Sequence, residues 1–227
     1  MAKELAIVLN NGGVNSAVTT ALAAQRFRLI MLHVVTGAAN DDDARDTATR
    51  TRVAFDQQTA HYKPYREHVL EMPFLAQLQA PGGPKKSGDG ADAKQQSRLG
   101  QQLLELLPVV SAAARFAAHY QAVSIHIGLR VGPAADELAQ GTEYVQVWQE
   151  LLQQSCGFPD LDVSAPLLEM DPWQVVDLGV QLNVPFDKTW SCVGDAGEPC
   201  WACRGCRARE AAFHQAAKPD PLRTARK

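Results

Sequence analysis

The stretch Glu4-Leu5-Ala6-Ile7-Val8-Leu9-Asn10-Asn11-Gly12-Gly13-Val14-Asn15-Ser16 sets how the rest of the chain is read. Glu4 to Leu9 ends in an unbroken apolar run, the pattern of a strand buried on both faces. It stops at two asparagines and two glycines, which favour turns, and an Ala-rich helical stretch from about Asn15 to Gln25 follows. A strand that passes through glycines into a helix is suited to an anion. Glycines let backbone amides approach a phosphate closely, and the first turn of a helix offers N–H groups that lack intrahelical partners. Ser16 adds a hydroxyl donor. Gly-Gly after a strand is also ordinary turn chemistry, so on these residues alone nucleotide binding and a plain turn stand level.

Outward from this segment the same alternation repeats. Arg28 to Val35 reads as a second strand, and Asp41-Asp42-Asp43 places acids at the positive end of a helix running to about His61. A magnesium role for those acids is the minor reading. Tyr65 to Glu71 is a third strand. Ala80 to Ser97, with Pro-Gly-Gly-Pro, Lys-Lys and Gly-Asp-Gly, has no apolar periodicity and reads as a mobile surface loop, with closure over a site as its functional alternative. Leu99 to Tyr120 is helical, bent or split at Pro108. Ala122 to Gly128 is a fourth strand, Asp136 to Gln154 a helix, Val163 to Pro166 a fifth short strand, and Pro172 to Leu182 a helix with proline in its first turn. The order predicts an α/β fold, a doubly wound parallel five-stranded sheet with helices on both faces. In such sheets ligands sit beyond the carboxyl ends of the strands where strand order reverses, which directs attention to residues 10–16.

Near the other end, Cys192, Cys200, Cys203 and Cys206 are spaced C-x7-C-x2-C-x2-C. Two-residue gaps turn neighbouring sulfurs toward a common centre, and a loop containing Gly194, Gly197 and Pro199 gives Cys192 the slack to approach from the far side. Four thiolates around one soft cation predict a structural zinc site, one ion per chain, with no open position for catalysis. Disulfides are the reading for an oxidising compartment. An iron–sulfur cluster of ferredoxin type would need a further cysteine after the triplet. The fifth cysteine, Cys156, falls outside the pattern and reads as core packing.

The 227 residues, 46% of them hydrophobic, suffice for a full core. A formal net charge of −3 leaves no electrostatic footprint for a nucleic-acid duplex. No apolar run reaches membrane-spanning length and no signal-type segment opens the sequence, which predicts a soluble protein of the reducing cytoplasm. Three units are expected: 1–186 as the nucleotide-binding α/β domain, 187–217 as the four-cysteine segment with its helix, and 218–227 as a basic tail. Among single residues, His126 reads as a hydrogen-bonded core histidine. Arg207 and Arg209 read as solvated or as offsetting thiolate charge, and Trp190 and Trp201 as shields for the cysteines. Lys188 is a minor candidate for a phosphate, and His214 a neighbour of the cysteine cluster.

Two sets of residues carry a resemblance. Leu9 to Val18 looks like the PP-loop motif Ser-Gly-Gly-x-Asp-Ser of the ATP-pyrophosphatase superfamily. The series Pro166-Leu167, a helix with Trp173 and Leu178, Thr189-Trp190-Ser191-Cys192, then Cys200, Cys203, Cys206 and Arg207-Ala208-Arg209 is similar to the 7-cyano-7-deazaguanine synthases of queuosine biosynthesis. The resemblance implies an adenine-nucleotide α-hydrolase-like, PP-loop type sheet with a small C-terminal zinc-binding subdomain. It also implies ATP with Mg2+ as substrate, a nucleotide site at Asn11, Gly12, Gly13, Val14, Asn15 and Ser16, and zinc on Cys192, Cys200, Cys203 and Cys206. The activity it implies is conversion of 7-carboxy-7-deazaguanine to the nitrile with ammonia, through an acyl-adenylate. No catalytic residue is assigned. The partners implied are a small-molecule substrate and a nucleotide, with a homodimer allowed and neither direct nucleic-acid binding nor a membrane.

Several positions depart from that family. Asn15 stands where the motif has aspartate, and a neutral amide interacts more weakly with magnesium or its waters than a carboxylate does. Val35-Thr36-Gly37-Ala38 replaces a Tyr-Gly-Gln segment. A Pro-Gly-Arg-Asn stretch is missing around Leu104 to Pro108, and Ala139-Gln140-Gly141 falls where Asp-Cys-Arg is expected. Three readings follow: a divergent ATP-dependent synthase, a catalytically degenerate relative binding a nucleotide or partner, and an enzyme adenylating a different carboxylate.

Overall fold

The structure, a computed structural model, describes residues 3–36, 42–72, 75, 98–157, 159–194 and 198–224. Its elements in chain order are β1 (Leu5–Leu9), α1 (Val14–Arg26), β2 (Arg28–Val35), α2 (Asp42–Tyr62), β3 (Arg66–Glu71), α3 (Arg98–Tyr120), β4 (Ser124–His126), α4 (Ala135–Cys156), β5 (Asp162–Ser164), α5 (Pro172–Gln181), a 3-10 turn (Phe186–Lys188), α6 (Arg204–Gln215) and α7 (Pro221–Thr224). The expected loop 80–97 lies outside the described residues, as do the side chains of Asp41 to Asp43 and of Cys156.

All strand pairs are parallel and the order is β3-β2-β1-β4-β5. β1 aligns Leu5 with Arg28 through Leu9 with Leu32 on one side, and Ala6 with Ser124 through Val8 with His126 on the other. The chain winds from β1 to β3 in one direction and returns through α3 to β4 on the opposite side of β1. The order therefore reverses between β1 and β4, and a crevice opens above their carboxyl ends.

Alternation along the strands builds two cores. Ile7, Leu9, Ile30, Leu32, Ile125 and Ile127 face α3 and α4, where Leu103, Val110, Ala113, Ala117, Trp148 and Leu152 are buried. Val8 and Met31 point the other way, toward Ala23 of α1 and Phe55 of α2. A third cluster packs α1 against α5 and α6 through Ala17, Val18, Val175, Val176, Phe186, Ala212 and Phe213. The small residues of α1 let it sit between the sheet and the C-terminal helices.

Three expectations are corrected. α3 is one helix despite Pro108. The carbonyl that proline leaves without an amide donor belongs to Leu104, a residue 57% exposed, so the missing bond falls on the solvent side of the helix. β4 ends sooner than read, because Gly128 turns against the start of α1, where a Cβ would lie 3.1 Å from the Ser16 nitrogen, and β5 is Asp162–Ser164, one residue shorter than read. Residues 218–224 are docked rather than tail-like. Asp220 is buried, Arg223 pairs with Glu210 at 2.8 Å and lies over the Trp201 ring at 4.6 Å.

Candidate functional site

The loop after β1 is held by two asparagine side chains. Asn10 is buried; its amide nitrogen donates to Thr20 Oγ1 at 3.0 Å and Gln58 Oε1 at 2.8 Å, and its Oδ1 accepts from the Gly12 amide at 2.8 Å. Asn11 Oδ1 accepts from the Gly13 amide at 3.0 Å and from the Ser16 hydroxyl at 2.8 Å. Two donors suited to an anion thus face a side-chain oxygen of the loop itself. Asn15 Nδ2 reaches back to the Gly128 carbonyl at 3.5 Å, tying α1 to the end of β4.

Gly12 and Gly13 do different work. Gly12 has φ +76, and a Cβ there would lie 2.5 Å from the Thr51 carbonyl oxygen of α2. Its carbonyl accepts from the Trp190 amide at 2.9 Å and from Gln58 Nε2 at 3.2 Å. Gln58 also donates to the Lys188 carbonyl at 2.9 Å. Glycine at position 12 therefore permits close packing of the loop on α2 and on the C-terminal segment, while Asn11, Gly13, Val14, Asn15 and Ser16 line the crevice.

That crevice is a cavity of about 600 Å³ at the strand-order reversal. The loop and the start of α1 form one wall. Leu32 and Val34 from β2 with Thr36 just beyond it, Ile127 to Arg130 after β4, one face of α3, the start of α5, and the C-terminal segment from Ser191 to α6 with Arg209 line the rest. Lys188 is not among the lining residues; its contribution is a backbone carbonyl. Arg209, expected to be solvated, is buried. Its Nε and Nη2 donate to the two Asp220 carboxylate oxygens at 2.7 and 2.9 Å, Nη1 to Thr189 Oγ1 at 2.6 Å, and Nη2 also to the Phe186 carbonyl at 2.9 Å. A guanidinium can be buried this way because its counter-charge is beside it and four of its five N–H donors are met. It staples α6, the 3-10 turn and the start of α7 together behind the loop.

The cysteines converge as the spacing predicts. One ligand atom from each of Cys192, Cys200, Cys203 and Cys206 lies within 4.8 Å of the others. The Cys192 and Cys203 sulfurs are 3.9 Å apart, close to the edge of roughly 3.8 Å for a tetrahedron with metal–sulfur bonds of about 2.3 Å. Backbone amides of Gly194 and Cys200 point at the Cys192 sulfur at 3.4 Å, that of Cys203 at Cys200, and that of Cys206 at Cys203. Burial works against ionisation of Cys203, yet the Val193 and Cys206 amides and the neighbouring thiols pull it down to about 6, whereas burial pushes Cys206 up to about 12. Thiols shifted in opposite directions are how like charges share a site, and a cation would favour the thiolate form of all four. The donor set fits a soft tetrahedral ion. Gly205 lies so close to the Ser191 carbonyl that no Cβ fits, which seats the cluster against the crevice wall.

Among the remaining sequence candidates, His126 is buried, bonded to Ser124 through Nε2 at 3.1 Å, and held below the usual histidine range by burial. His214 is exposed on α6. Trp190 donates from its ring to the Cys192 carbonyl at 2.8 Å. Gln58 and Asp220 carry no role in the sequence reading, and Asn10 enters it only as part of the 10–16 turn. Gln58, fully buried among Ala54, Phe55 and Thr59, had a signal, a polar side chain on the apolar stripe of a helix. Asp220 had none, since its partner is set by tertiary packing. No helix among the described residues is long and apolar enough to cross a membrane.

Comparison with known proteins agrees with this geometry. A family described as "Queuosine biosynthesis protein QueC" matches residues 5–217. The 7-cyano-7-deazaguanine synthase of Chloroherpeton thalassium is 28% identical over 228 residues, covering 96% of this chain and 95% of its own. That of Chlorobium phaeobacteroides is 29% identical over 230 residues, covering 96% and 95%. Among solved structures, the U34-tRNA thiolase NcsA of Methanococcus maripaludis, with its [4Fe-4S] cluster, aligns over 95% of this chain and 66% of its own, at 14% identity and a TM-score of 0.49. That last likeness is too distant to bear on chemistry. The match across residues 5–217 spans both the crevice loop and the four cysteines, and the chain belongs to the queuosine biosynthesis protein QueC family.

Proposed function

We propose that this protein converts 7-carboxy-7-deazaguanine to 7-cyano-7-deazaguanine, using ATP and ammonia. The observation that carries the proposal is the crevice at the strand-order reversal, walled by the loop after β1 and by the C-terminal segment, in a chain matched to the family over residues 5–217. A carboxylate is a poor electrophile. Joining it to AMP, with release of pyrophosphate, supplies a leaving group, and ammonia displaces AMP to give the amide. A second ATP activates the amide oxygen, and loss of AMP with a proton leaves the nitrile. The charge that develops on phosphate oxygens at each activation is of the kind that backbone amides at a helix start hold.

In this reading Asn11, Gly12, Gly13, Val14, Asn15 and Ser16 form the phosphate-receiving loop, Gly12 by fixing its path and the others by facing the crevice. Asn15 would offer a magnesium ion carried by ATP only a neutral amide, and the ion would supply positive charge to offset that of the phosphates. Zinc on Cys192, Cys200, Cys203 and Cys206 would be structural, four sulfurs leaving no coordination position for substrate. The α/β unit 1–186 carries the loop, and 187–217 closes the crevice from behind. Free thiols and dependence on ATP suit the cytoplasm.

The test is direct. Protein incubated with ATP, magnesium, ammonium and 7-carboxy-7-deazaguanine is expected to give the nitrile and AMP by mass spectrometry. Nucleotide binding without any amide or nitrile would overturn the reading in favour of a catalytically degenerate relative.

A further inference from the structure

One face of α3 looks into the crevice. Gln102, Glu105, Leu106 and Val109, spaced i, i+3, i+4 and i+7, are its cavity-lining residues. The last two continue the apolar wall of Ile127 and Leu129; the first two are polar and sit at the exposed rim. Glu105 is the single carboxylate among the described lining residues. No described cation lies within ion-pairing distance of it. The two guanidiniums of the wall are engaged elsewhere, Arg209 with Asp220 and Arg130 with the Met170 carbonyl at 3.2 Å. Glu105 therefore brings an acceptor-only group, able to take two parallel N–H donors, to a helix face whose other polar lining residue is the Gln102 amide.

We propose that Glu105 selects the heterocycle, accepting the adjacent ring N–H and exocyclic amino group of a 2-amino-4-oxopyrimidine edge. The inference rests on the synthase reading above and names a specificity-determining residue for it. The crevice then has a polar axis, with anion donors at the start of α1 and a carboxylate on α3. Adenine does not match the carboxylate, because its amino group is flanked by a ring nitrogen that is itself an acceptor. A 7-deazaguanine matches it in bidentate fashion, and its 7-carboxyl lies across the fused ring from that edge, free to meet ATP.

The experiment compares 7-carboxy-7-deazaguanine with its analogue lacking the 2-amino group. Wild-type protein is expected to favour the amino compound in kcat/KM by roughly 10- to 100-fold, the span of one bidentate pair. Glu105→Gln should cut that preference to below about threefold by raising KM for the amino compound, with KM for ATP unchanged, and Glu105→Asp should recover part of it. Calorimetric binding of both compounds supplies the same ratio if turnover of a variant is too slow to measure. An unchanged preference in Glu105→Gln overturns the inference, as does a rise in KM for ATP, which would place the carboxylate against the nucleotide. Absence of turnover and of binding in the wild type would instead remove the synthase reading itself.

Discussion

The loop after β1 and the four-cysteine segment meet across one hydrogen bond, Trp190 amide to Gly12 carbonyl at 2.9 Å, yet they are built on opposite principles. The loop is held by neutral hydrogen bonds, those among Asn10, Gln58 and Thr20 buried and those to Asn11 Oδ1 at the crevice, where a ligand can replace them. The C-terminal segment is held by clustered sulfurs and a buried ion pair, neither of which tolerates loss of one partner. The contrast teaches a division of labour. A phosphate-receiving loop must exchange its internal partners for ligand atoms at modest cost, whereas the wall behind it must not move.

If that division is right, damage to the wall should unfold the molecule and damage to the loop should change binding. The largest effect is expected for Cys206→Ser, which removes a buried ligand. The bound metal should fall from one per chain to substoichiometric by elemental analysis, with a loss on the order of 5 kcal/mol in denaturant unfolding. Asp220→Ala comes next. It leaves the Arg209 guanidinium buried without its counter-charge, and about 3–5 kcal/mol should be lost, lowering Tm by about 6–20 °C. The exposed pair of Arg52 and Asp56, at 2.8 Å, serves as the control, and breaking it should cost less than about 1 kcal/mol.

On the loop side Asn11→Ala frees the Gly13 amide and leaves the Ser16 hydroxyl only its longer bonds, to the Gly13 carbonyl at 3.1 Å and Asn10 Oδ1 at 3.4 Å. Pyrophosphate should bind several-fold tighter by calorimetry, equivalent to about 1 kcal/mol, while Tm stays nearly constant. Weaker binding would mean that Asn11 is a ligand rather than a competitor. The gentlest probe is pH. His33, whose Nδ1 donates to the Asn10 carbonyl at 2.8 Å, and His126 are both held neutral by burial, below the ordinary value of 6.5. The unfolded chain then binds more protons than the folded one, so stability is full above pH 6.5 and declines as pH falls below it. His33→Gln should flatten that slope. A slope that persists in both single variants and in the double variant would assign it to other groups.

Much of this was legible in the sequence, for reasons particular to each part. The apolar runs at 5–9 and 29–32 declared buried parallel strands because no polar residue interrupts them, and β2 is Arg28–Val35 as read, with His33 within it. The cysteines declared themselves because two-residue spacing leaves sulfurs few other arrangements. Gly12 was legible as a turn but not as a packing surface for Thr51, since α2 approaches from 40 residues away in a way no local pattern encodes. Arg209 was misread because burial of a charge depends on a distant partner, here Asp220, in a segment whose basic composition suggested solvent. Glu105 was passed over for a related reason. Its meaning lies in the cavity that α3 faces, not in the helix itself.

The central claim is that the loop after β1 receives the phosphates of ATP while the C-terminal segment stays fixed behind it. Amide hydrogen exchange with and without ATP and magnesium tests this most directly. Protection rising across residues 11–16, with the already slow amides of 203–213 unchanged, is the predicted result. Protection confined to other segments, with 11–16 exchanging at the same rate in saturating nucleotide, would contradict it.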